Sequence, residues 1–171
     1  MEGQQEFDKR IARVRQAMRD KGLQTLLVYD SGRHNFLRMN YVAYLTDFIS
    51  VGPETMLIVP LEDAPTLYLS PAWDIPRAQE ESWVSDVHPF KEFWSCLPAL
   101  SGKVGLIGRE AMHVDLHDAV AKALKQTPVN AKDIIENMAR CKSEFELDRL
   151  RRAAAIADAG VKRCTMMRVR D

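Results

Sequence analysis

Residues 23–29 read LQTLLVY, a continuous apolar run of strand length followed at once by the turn formers Asp30, Ser31 and Gly32. Upstream of this run, apolar residues recur at steps of four, three and four, at Phe7, Ile11, Val14 and Met18. That spacing predicts a helix over residues 6–21, with Gly22 placed to cap its carboxyl end. The chain therefore begins with an amphipathic helix that leads directly into a buried strand.

Helical and strand patterns alternate along the next hundred or so residues. Two apolar runs, at 56–59 and 66–69, are separated by a short segment containing Pro60 and Pro65 and predict an antiparallel hairpin. Further strands are predicted at 84–87, at 103–107 (KVGLI) and near Val129, and further helices at 73–81, 91–100, 114–126 and 134–138. Helices alternating with strands predict an α/β fold, a three-layer α/β/α domain around a mixed sheet of five or six strands.

The last segment is a long helical pattern. Ser143 and Glu146 form a capping box ahead of it. An apolar stripe then recurs at steps of three and four, at Leu147, Leu150, Ala154, Ala157, Val161 and Cys164. The pattern predicts a helix of about twenty residues without a Gly or Pro stop signal, which indicates a chain cut inside a longer protein. We therefore expect a domain over residues 1–141 and a linking helix over residues 142–171.

Composition excludes several classes of protein. The chain has 171 residues, 46% of them hydrophobic, with 24 Lys plus Arg against 24 Asp plus Glu. This is too apolar for a disordered tail, while zero net charge argues against a nucleic-acid binder and favours self-association. Three widely spaced cysteines fit reduced thiols. The start MEGQQEFDKR is not a signal peptide, and no apolar run is long enough to span a membrane. We expect a cytoplasmic protein with no membrane partner.

Motifs for catalysis are missing from this sequence. It contains no G-x-S-x-G elbow, no H-E-x-x-H and no Walker loop. His113 and His117 are four residues apart, a spacing that places both on one helix face. The apolar stripe of that helix runs through other positions, so both are expected to face water, and no metal site is predicted. Gly108 follows a strand, which leaves a small nucleotide-binding domain open as one alternative.

A family resemblance begins at the final helix. Residues 140–158 read RCKSEFELDRLRRAAAIAD, which resembles the boundary segment of the creatinase, prolidase and aminopeptidase P family. That segment typically runs from Arg and Lys-Ser through an acidic pair to Arg-x-Ala-Ala-x-Ile-Ala-Asp. Residues 40–48, NYVAYLTDF, are similar to the family's Tyr-Leu-Thr-Gly-Phe, with Asp47 where Gly is usual. Residues 22–28 and 103–108 also fit the family.

The resemblance implies a two-domain parent protein. Its smaller N-terminal domain has a ribonuclease H-like motif, and its larger C-terminal domain has the pita-bread fold. In the family's peptidases two Asp, one His and two Glu of the C-terminal domain hold two divalent metals, expected here to be Mn, Co or Zn. Those ligands would lie beyond Asp171, so the chain itself is expected to hold no cofactor, no metal and no catalytic residue. The parent would be a Xaa-Pro peptidase or a creatinase-like C–N hydrolase, and this chain alone would be inactive.

The resemblance also implies where contacts form. In related enzymes the N-terminal domain borders the active-site mouth, often of a neighbouring subunit. Within the predicted loop 33–53 we expect Arg38, Asn40, Tyr41 and Asp47 to be exposed, as candidates for substrate access or a subunit interface. Tyr44, Leu45 and Phe48 are equally explained as core residues.

The expected partners are the chain's own C-terminal catalytic domain and a second copy of the chain. The interface residues would be those of the final stripe, Leu147, Leu150, Ala154, Ala157 and Val161. The alternative is a free-standing interaction module that has the same fold and no catalytic partner.

Overall fold

The strands of this chain form one mixed sheet. A computed structural model describes residues 2–34 and 37–168, and within these ranges the sheet has six strands. They are β1 (Thr25–Asp30), β2 (Glu54–Pro60), β3 (Thr66–Ser70), β4 (Val87–Pro89), β5 (Val104–Ile107) and β6 (Val129–Asn130). The helices are α1 (Glu2–Lys21), α2 (Tyr41–Thr46), α3 (Ile75–Glu81), α4 (Phe90–Cys96), α5 (Val114–Leu124), α6 (Asp133–Arg140) and α7 (Glu144–Arg168).

Strand β1 lies inside the sheet, whose order is β4-β3-β2-β1-β5-β6. It pairs antiparallel with β2 and parallel with β5, so the sheet is mixed at its centre. The predicted hairpin is the antiparallel pair β2–β3, in which Leu57 faces Leu67. Strand β4 adds parallel to β3, and β6 adds parallel to β5. Both edge strands are short, and β4 ends in a proline, which limits pairing with another sheet edge.

The turn between α1 and β1 sets the position of the first helix on the sheet. Gly22 has a φ of 65°, its N–H donates to the Arg19 carbonyl, and the Leu23 N–H donates to the Met18 carbonyl. These two hydrogen bonds form a Schellman cap, for which glycine is favoured because it adopts a left-handed conformation at little cost. The reversal places the apolar face of α1 directly on the sheet.

Two apolar layers cover the two faces of the sheet. On one face, Leu26 and Val28 of β1 pack beneath α1, α2, α3 and α6. On the other, Leu27 and Tyr29 pack beneath α4 and α5. Because successive residues of a strand point to opposite faces, the continuous apolar run of β1 serves both layers. The predicted three-layer α/β/α fold with a mixed sheet is confirmed.

Two local predictions were wrong. The segment 33–53 was predicted as a loop, but it contains the helix α2, whose six residues are too few to show a helical period. The strand predicted at 84–87 instead spans Val87–Pro89. Val84 is buried without being in a strand, because it packs in the core beside Trp83 and Val87.

Candidate functional site at the carboxyl edge of the sheet

The carboxyl ends of β1 and β5 meet at one edge of the sheet because the two strands are parallel. Asp30 ends β1, and Glu110 lies three residues after the last residue of β5. In open α/β sheets, ligands bind outside the carboxyl ends of the strands. At this edge Asp30, Glu110 and Glu136 meet three of the predicted site residues, Arg38, Asn40 and Tyr41. We call these six residues the rim cluster.

Asn40 connects the start of α2 to the central strand. Its side-chain oxygen accepts a hydrogen bond from the Ala43 N–H at 2.7 Å, and its side-chain nitrogen donates to Asp30 Oδ1 at 2.9 Å. The first contact is an N-cap, a role in which Asn is among the preferred residues. One side chain thus starts the helix and holds it against β1. Asn40 is half-buried rather than exposed as a result, so the prediction that it is exposed was wrong.

Tyr41 is the centre of the rim cluster. Its hydroxyl lies 3.1 Å from Glu110 Oε1 and 3.1 Å from Glu136 Oε1. Since a phenol has one hydrogen, it donates to one of these carboxylates at a time. Burial raises the pKa of Tyr41, and the hydrogen bonds and negative charges of Glu110 and Glu136 raise it further. The residue is 7% exposed, so the prediction that it is exposed was wrong, because its ring packs in the core layer beneath α1.

Arg38 is exposed, as predicted, and it also contacts Glu110. Its Nη1 donates to the Glu110 carbonyl oxygen at 2.7 Å. The backbone and the side chain of Glu110 are therefore held by two residues of the same segment, Arg38 and Tyr41. These contacts fix polar groups in place at the rim. Within the described ranges, the cluster brings no hydroxyl or thiol nucleophile next to a histidine base.

Asp47 lies at the opposite end of α2 from Asn40, and the structure does not bring it to the rim. It caps the carboxyl end of the helix with a φ of 57° and is half-buried rather than exposed. A left-handed conformation ordinarily favours glycine, the residue that the resemblance led us to expect at this position. Its carboxylate lies 2.5 Å from Arg149 Nη1, and so Asp47 contacts α7, which a glycine would not do.

The stripe predicted on α7 is uncovered in the part of the chain that the structure describes. Leu147 is half-buried, while Leu150 is 56% exposed and Val161 is 67% exposed. Ala154 and Ala157 are exposed as well. The helix has 25 residues, somewhat more than predicted, and residues 169–171 lie outside the described ranges. Its first two turns border a groove of about 1150 Å³ shared with α1.

Two further expectations concerned His113 and His117, both expected to face water, and Gly108, a possible phosphate-binding glycine. His113 is exposed at the start of α5, as predicted, but the side chain of His117 is only 14% exposed, so the prediction that it faces water was wrong. His117 Nδ1 lies 3.2 Å from Asp118 Oδ1. Among residues 2–34 and 37–168, no group of three or more His, Cys, Asp and Glu side chains has metal-binding geometry. Gly108 has a φ of 85°, and an added Cβ would lie 2.0 Å from the Tyr29 carbonyl oxygen, which explains this glycine without a phosphate.

Sequence reasoning missed Asp30, Glu110 and Glu136. A signal existed for the first two, because each follows a predicted buried strand and carboxyl ends of parallel strands meet at one edge. The role of Asn40 as an N-cap could also have been predicted if a helix had been considered at residues 41–46. Glu136 gave no signal, since only the packing of α6 brings it to Tyr41.

Comparison with known proteins identifies the family. Residues 10–140 match the Creatinase/Prolidase N-terminal domain. The match covers more than half of the chain, and the chain therefore belongs to the creatinase/prolidase N-terminal domain family. A search of curated proteins gave no significant match. No described helix has both the length and the apolar character required to cross a membrane.

Solved structures share this fold. The prolidase from Pyrococcus horikoshii OT3 is 21% identical with a TM-score of 0.69, and the similarity covers 90% of this chain and 41% of that chain. Dipeptidase PepE from Mycobacterium ulcerans is 22% identical with a TM-score of 0.69, and the similarity covers 94% of this chain and 43% of that chain. The N-terminal domain of cytoplasmic peptidase PepQ from Mycobacterium tuberculosis H37Rv is 22% identical with a TM-score of 0.59, and the similarity covers 75% of this chain and 97% of that chain. The chain thus spans about two-fifths of the prolidase and PepE chains, and nearly all of the PepQ domain.

Proposed function

We propose that this chain is the non-catalytic N-terminal domain of a Xaa-Pro peptidase or of a related creatinase-like C–N hydrolase. Residues 1–141 form the domain, and residues 142–171 lead into a catalytic domain that follows. The observation that carries the proposal is the uncovered apolar face of α7, with Leu150 56% and Val161 67% exposed. Burying such a face is favourable by about 25 cal/mol per Å² of apolar area, so it has the character of a contact surface.

The rim cluster is proposed to border access to the active site of the parent enzyme. It presents the Arg38 guanidinium and the Glu110 and Glu136 carboxylates on side chains held by hydrogen bonds. Fixed charges at the entrance of a cleft orient and select substrates without taking part in bond breaking. Arg38 is the proposed substrate-facing residue, while Asn40 and Tyr41 hold the segment that carries it.

We propose that the metals of the parent enzyme bind only to the catalytic domain that follows residue 171. Because the described part of this chain has no group of side chains fitted to a metal, both divalent ions, Mn, Co or Zn, are assigned to ligands beyond residue 171. The whole protein is proposed to act in the cytoplasm, as the name of the PepQ peptidase states for that relative. A homodimer is proposed as well, with the α7 stripe, and Asp47 beside it, at or near the subunit or domain contact.

Reading the gene beyond codon 171 and assaying the encoded protein tests the proposal. We expect a continuing frame with spaced Asp, His and Glu codons, and a product that hydrolyses Xaa-Pro dipeptides with added Mn²⁺, Co²⁺ or Zn²⁺. Residues 1–171 alone should show no turnover. In the longer protein, Arg38→Ala should raise KM with little change in kcat. Lys122→Ala, an exposed residue of α5 on the other face of the sheet, should leave both constants unchanged.

Three results would contradict these expectations. A frame that stops at codon 171 favours the free-standing interaction module instead. Chelator-resistant turnover by residues 1–171, in proportion to protein concentration, overturns the non-catalytic role. Equal KM values for the Arg38 and Lys122 variants remove Arg38 from substrate access.

A further inference from the structure

A buried arginine lies where α1, α2 and α7 meet. Arg10 is 5% exposed, and its Nε donates to Glu6 Oε1 at 2.9 Å. Its Nη1 donates to the Tyr44 carbonyl, and its Nη2 lies 3.6 Å from Glu146 Oε2. The guanidinium carbon also lies 4.1 Å from the centroid of the Tyr44 ring and 5.5 Å from that of Trp83. The cation is therefore held by three oxygens and lies against two aromatic rings.

The capping box of α7 is bound to the same buried pair. The Ser143 hydroxyl donates to Glu6 Oε1 at 2.9 Å, while the Ser143 N–H donates to Glu146 Oε2 at 3.0 Å. The Glu146 N–H donates back to Ser143 Oγ at 3.2 Å. A capping box ordinarily satisfies the backbone of its own helix alone. Here both of its side chains also reach the Glu6–Arg10 pair of α1.

Among the described side chains, which end at residue 165 in α7, the contacts of this helix with the domain are confined to its first two turns. Phe145 packs edge-on against Trp83 at 5.9 Å between ring centroids, and Arg149 pairs with Asp47 on the surface. From residue 150 to residue 165 every side chain is exposed. At about 1.5 Å per residue, the helix extends about 28 Å beyond Arg149. A rotation of about 10° at the first turns therefore moves its far end by about 5 Å.

We infer that Arg10 is a positioning residue that fixes the direction in which α7 leaves the domain. It acts through Glu6, Ser143 and Glu146, and it touches no reacting group. The consequence for catalysis rests on the proposed function, since a catalytic domain that follows α7 would be placed relative to the rim cluster by this junction. The direction of the helix itself does not depend on that proposal.

The contacts require an arginine and not merely a positive charge. Arg10 binds three oxygens in different directions from one planar group and presents its faces to two aromatic rings. A lysine ammonium keeps the charge near Glu6 but lacks the planar fork that reaches Tyr44 and Glu146 together. Arg10→Lys is thus expected to keep the fold while loosening the direction of α7.

Measuring the distance between two spin labels tests the inference on the whole chain of 171 residues. One label is placed on Cys164 of α7 and the other on a cysteine replacing the exposed Ser101, with Cys96→Ser and Cys141→Ser. Cys164 lies about 22 Å along the helix from Arg149, so Arg10→Lys and Glu146→Gln are expected to broaden the distance distribution and to shift its mean by up to about 4 Å for each 10° of rotation. Glutamine preserves the capping box, so Glu146→Gln removes only the charge that faces Arg10.

Arg13→Lys is the matched control, because Arg13 is exposed on α1 near Arg10 and has no ion pair among the described residues. It should reproduce the parent distribution. The inference is overturned if Arg10→Lys and Glu146→Gln both keep that distribution, even if their Tm falls, because Arg10 would then serve stability alone. Should Arg10→Lys fail to fold, Glu146→Gln decides the matter. If the activity assays contradict the proposed function, these distances are unaffected. The test of Arg10 and the test of the proposed function can therefore fail separately.

Discussion

The two long helices of this chain have similar apolar patterns and opposite surroundings. In α1 the stripe residues Phe7, Ile11, Val14 and Met18 are at most 8% exposed. In α7 the stripe residues Leu150 and Val161 are 56% and 67% exposed. Periodicity predicted both helices and the apolar face of each. It did not predict what covers that face.

The difference arises from the positions of the two helices in the chain. Helix α1 is followed by the Gly22 cap and β1, and this tight reversal lays its stripe on the sheet. Helix α7 begins after α6, when α1, α2, α3 and α6 already cover that face of the sheet. No uncovered sheet surface remains for its stripe within the described residues. An apolar stripe thus becomes core or contact surface according to what the fold still leaves open.

Removing one apolar side chain from each helix should give the largest contrast. Met18→Ala is expected to lower the free energy of unfolding by about 2 to 5 kcal/mol, because it leaves a cavity in a fully buried site. At a protein concentration low enough to keep the chain monomeric, Leu150→Ala should change it by less than about 0.5 kcal/mol, since the side chain is mostly in solvent. Urea unfolding followed by circular dichroism measures both values. Similar losses would mean that α7 is packed on the domain in solution.

Two charged pairs, one at the start of α3 in the domain and one on α7, offer a second contrast. Asp74 is 1% exposed and accepts hydrogen bonds from Arg77, the Val51 N–H and Ser50, whereas Asp148 and Arg152 form an exposed pair at 2.7 Å. We expect Asp74→Asn to cost about 2 to 3 kcal/mol at pH 7. Asp148→Asn should cost about 0.3 to 0.5 kcal/mol.

The Asp74→Asn variant should also differ from the parent chain in how its stability depends on pH. Burial acts to raise the pKa of Asp74, but hydrogen bonds from Arg77 and Val51 outweigh it and hold that pKa below its usual range. A lowered native pKa stabilises the fold above the unfolded pKa of about 3.9, and this contribution is lost as pH falls through the native pKa. Urea unfolding at pH 7, 5, 4 and 3 should show a shallower acid dependence in Asp74→Asn than in the parent chain. Equal slopes would refute the assigned pKa direction.

Self-association examines the uncovered stripe of α7 directly. We expect the chain to associate with rising concentration. The double variant Leu150→Glu, Val161→Glu should weaken the association constant at least about ten-fold, equivalent to about 1.4 kcal/mol. Ile156→Glu is the control, because Ile156 is 74% exposed but lies on another face of the helix at about 3.6 residues per turn. Sedimentation velocity over a range of concentrations distinguishes the three chains. A parent chain that stays monomeric removes the stripe from the dimer contact.

A modest effect is expected for Asp47, whose side chain joins α2 to α7. Asp47→Gly removes a partly exposed ion pair but relieves the left-handed backbone, so the free energy of unfolding should change by less than about 1 kcal/mol. Asp47→Ala loses the ion pair and keeps the strain, and should be less stable than the glycine variant by about 1 to 2 kcal/mol. Urea unfolding of both variants decides the order. An alanine variant equal to the glycine variant would show that the φ of 57° has no cost.

Local patterns were sufficient for elements whose residues carry their own signal. The stripe of α1, the apolar run of β1 and the capping box at Ser143 each act over a few neighbouring residues, and all three predictions were confirmed. The pattern of α2 was too short to reveal a helix. Tyr41 was expected to be exposed as part of a predicted loop, and only the packing of α2 in the core layer buried it.

The sequence by itself determined the α/β class, the order of most elements and the resemblance to one family, because each depends on residues close together in the chain. Tertiary structure alone decided that Tyr41 meets Glu110 and Glu136, which lie 69 and 95 residues away. It also decided that Arg10 of α1 binds the start of α7, with Glu6 and Ser143 137 positions apart. Contacts of that length have no local period or motif, since they form only when packing brings separate elements to one place.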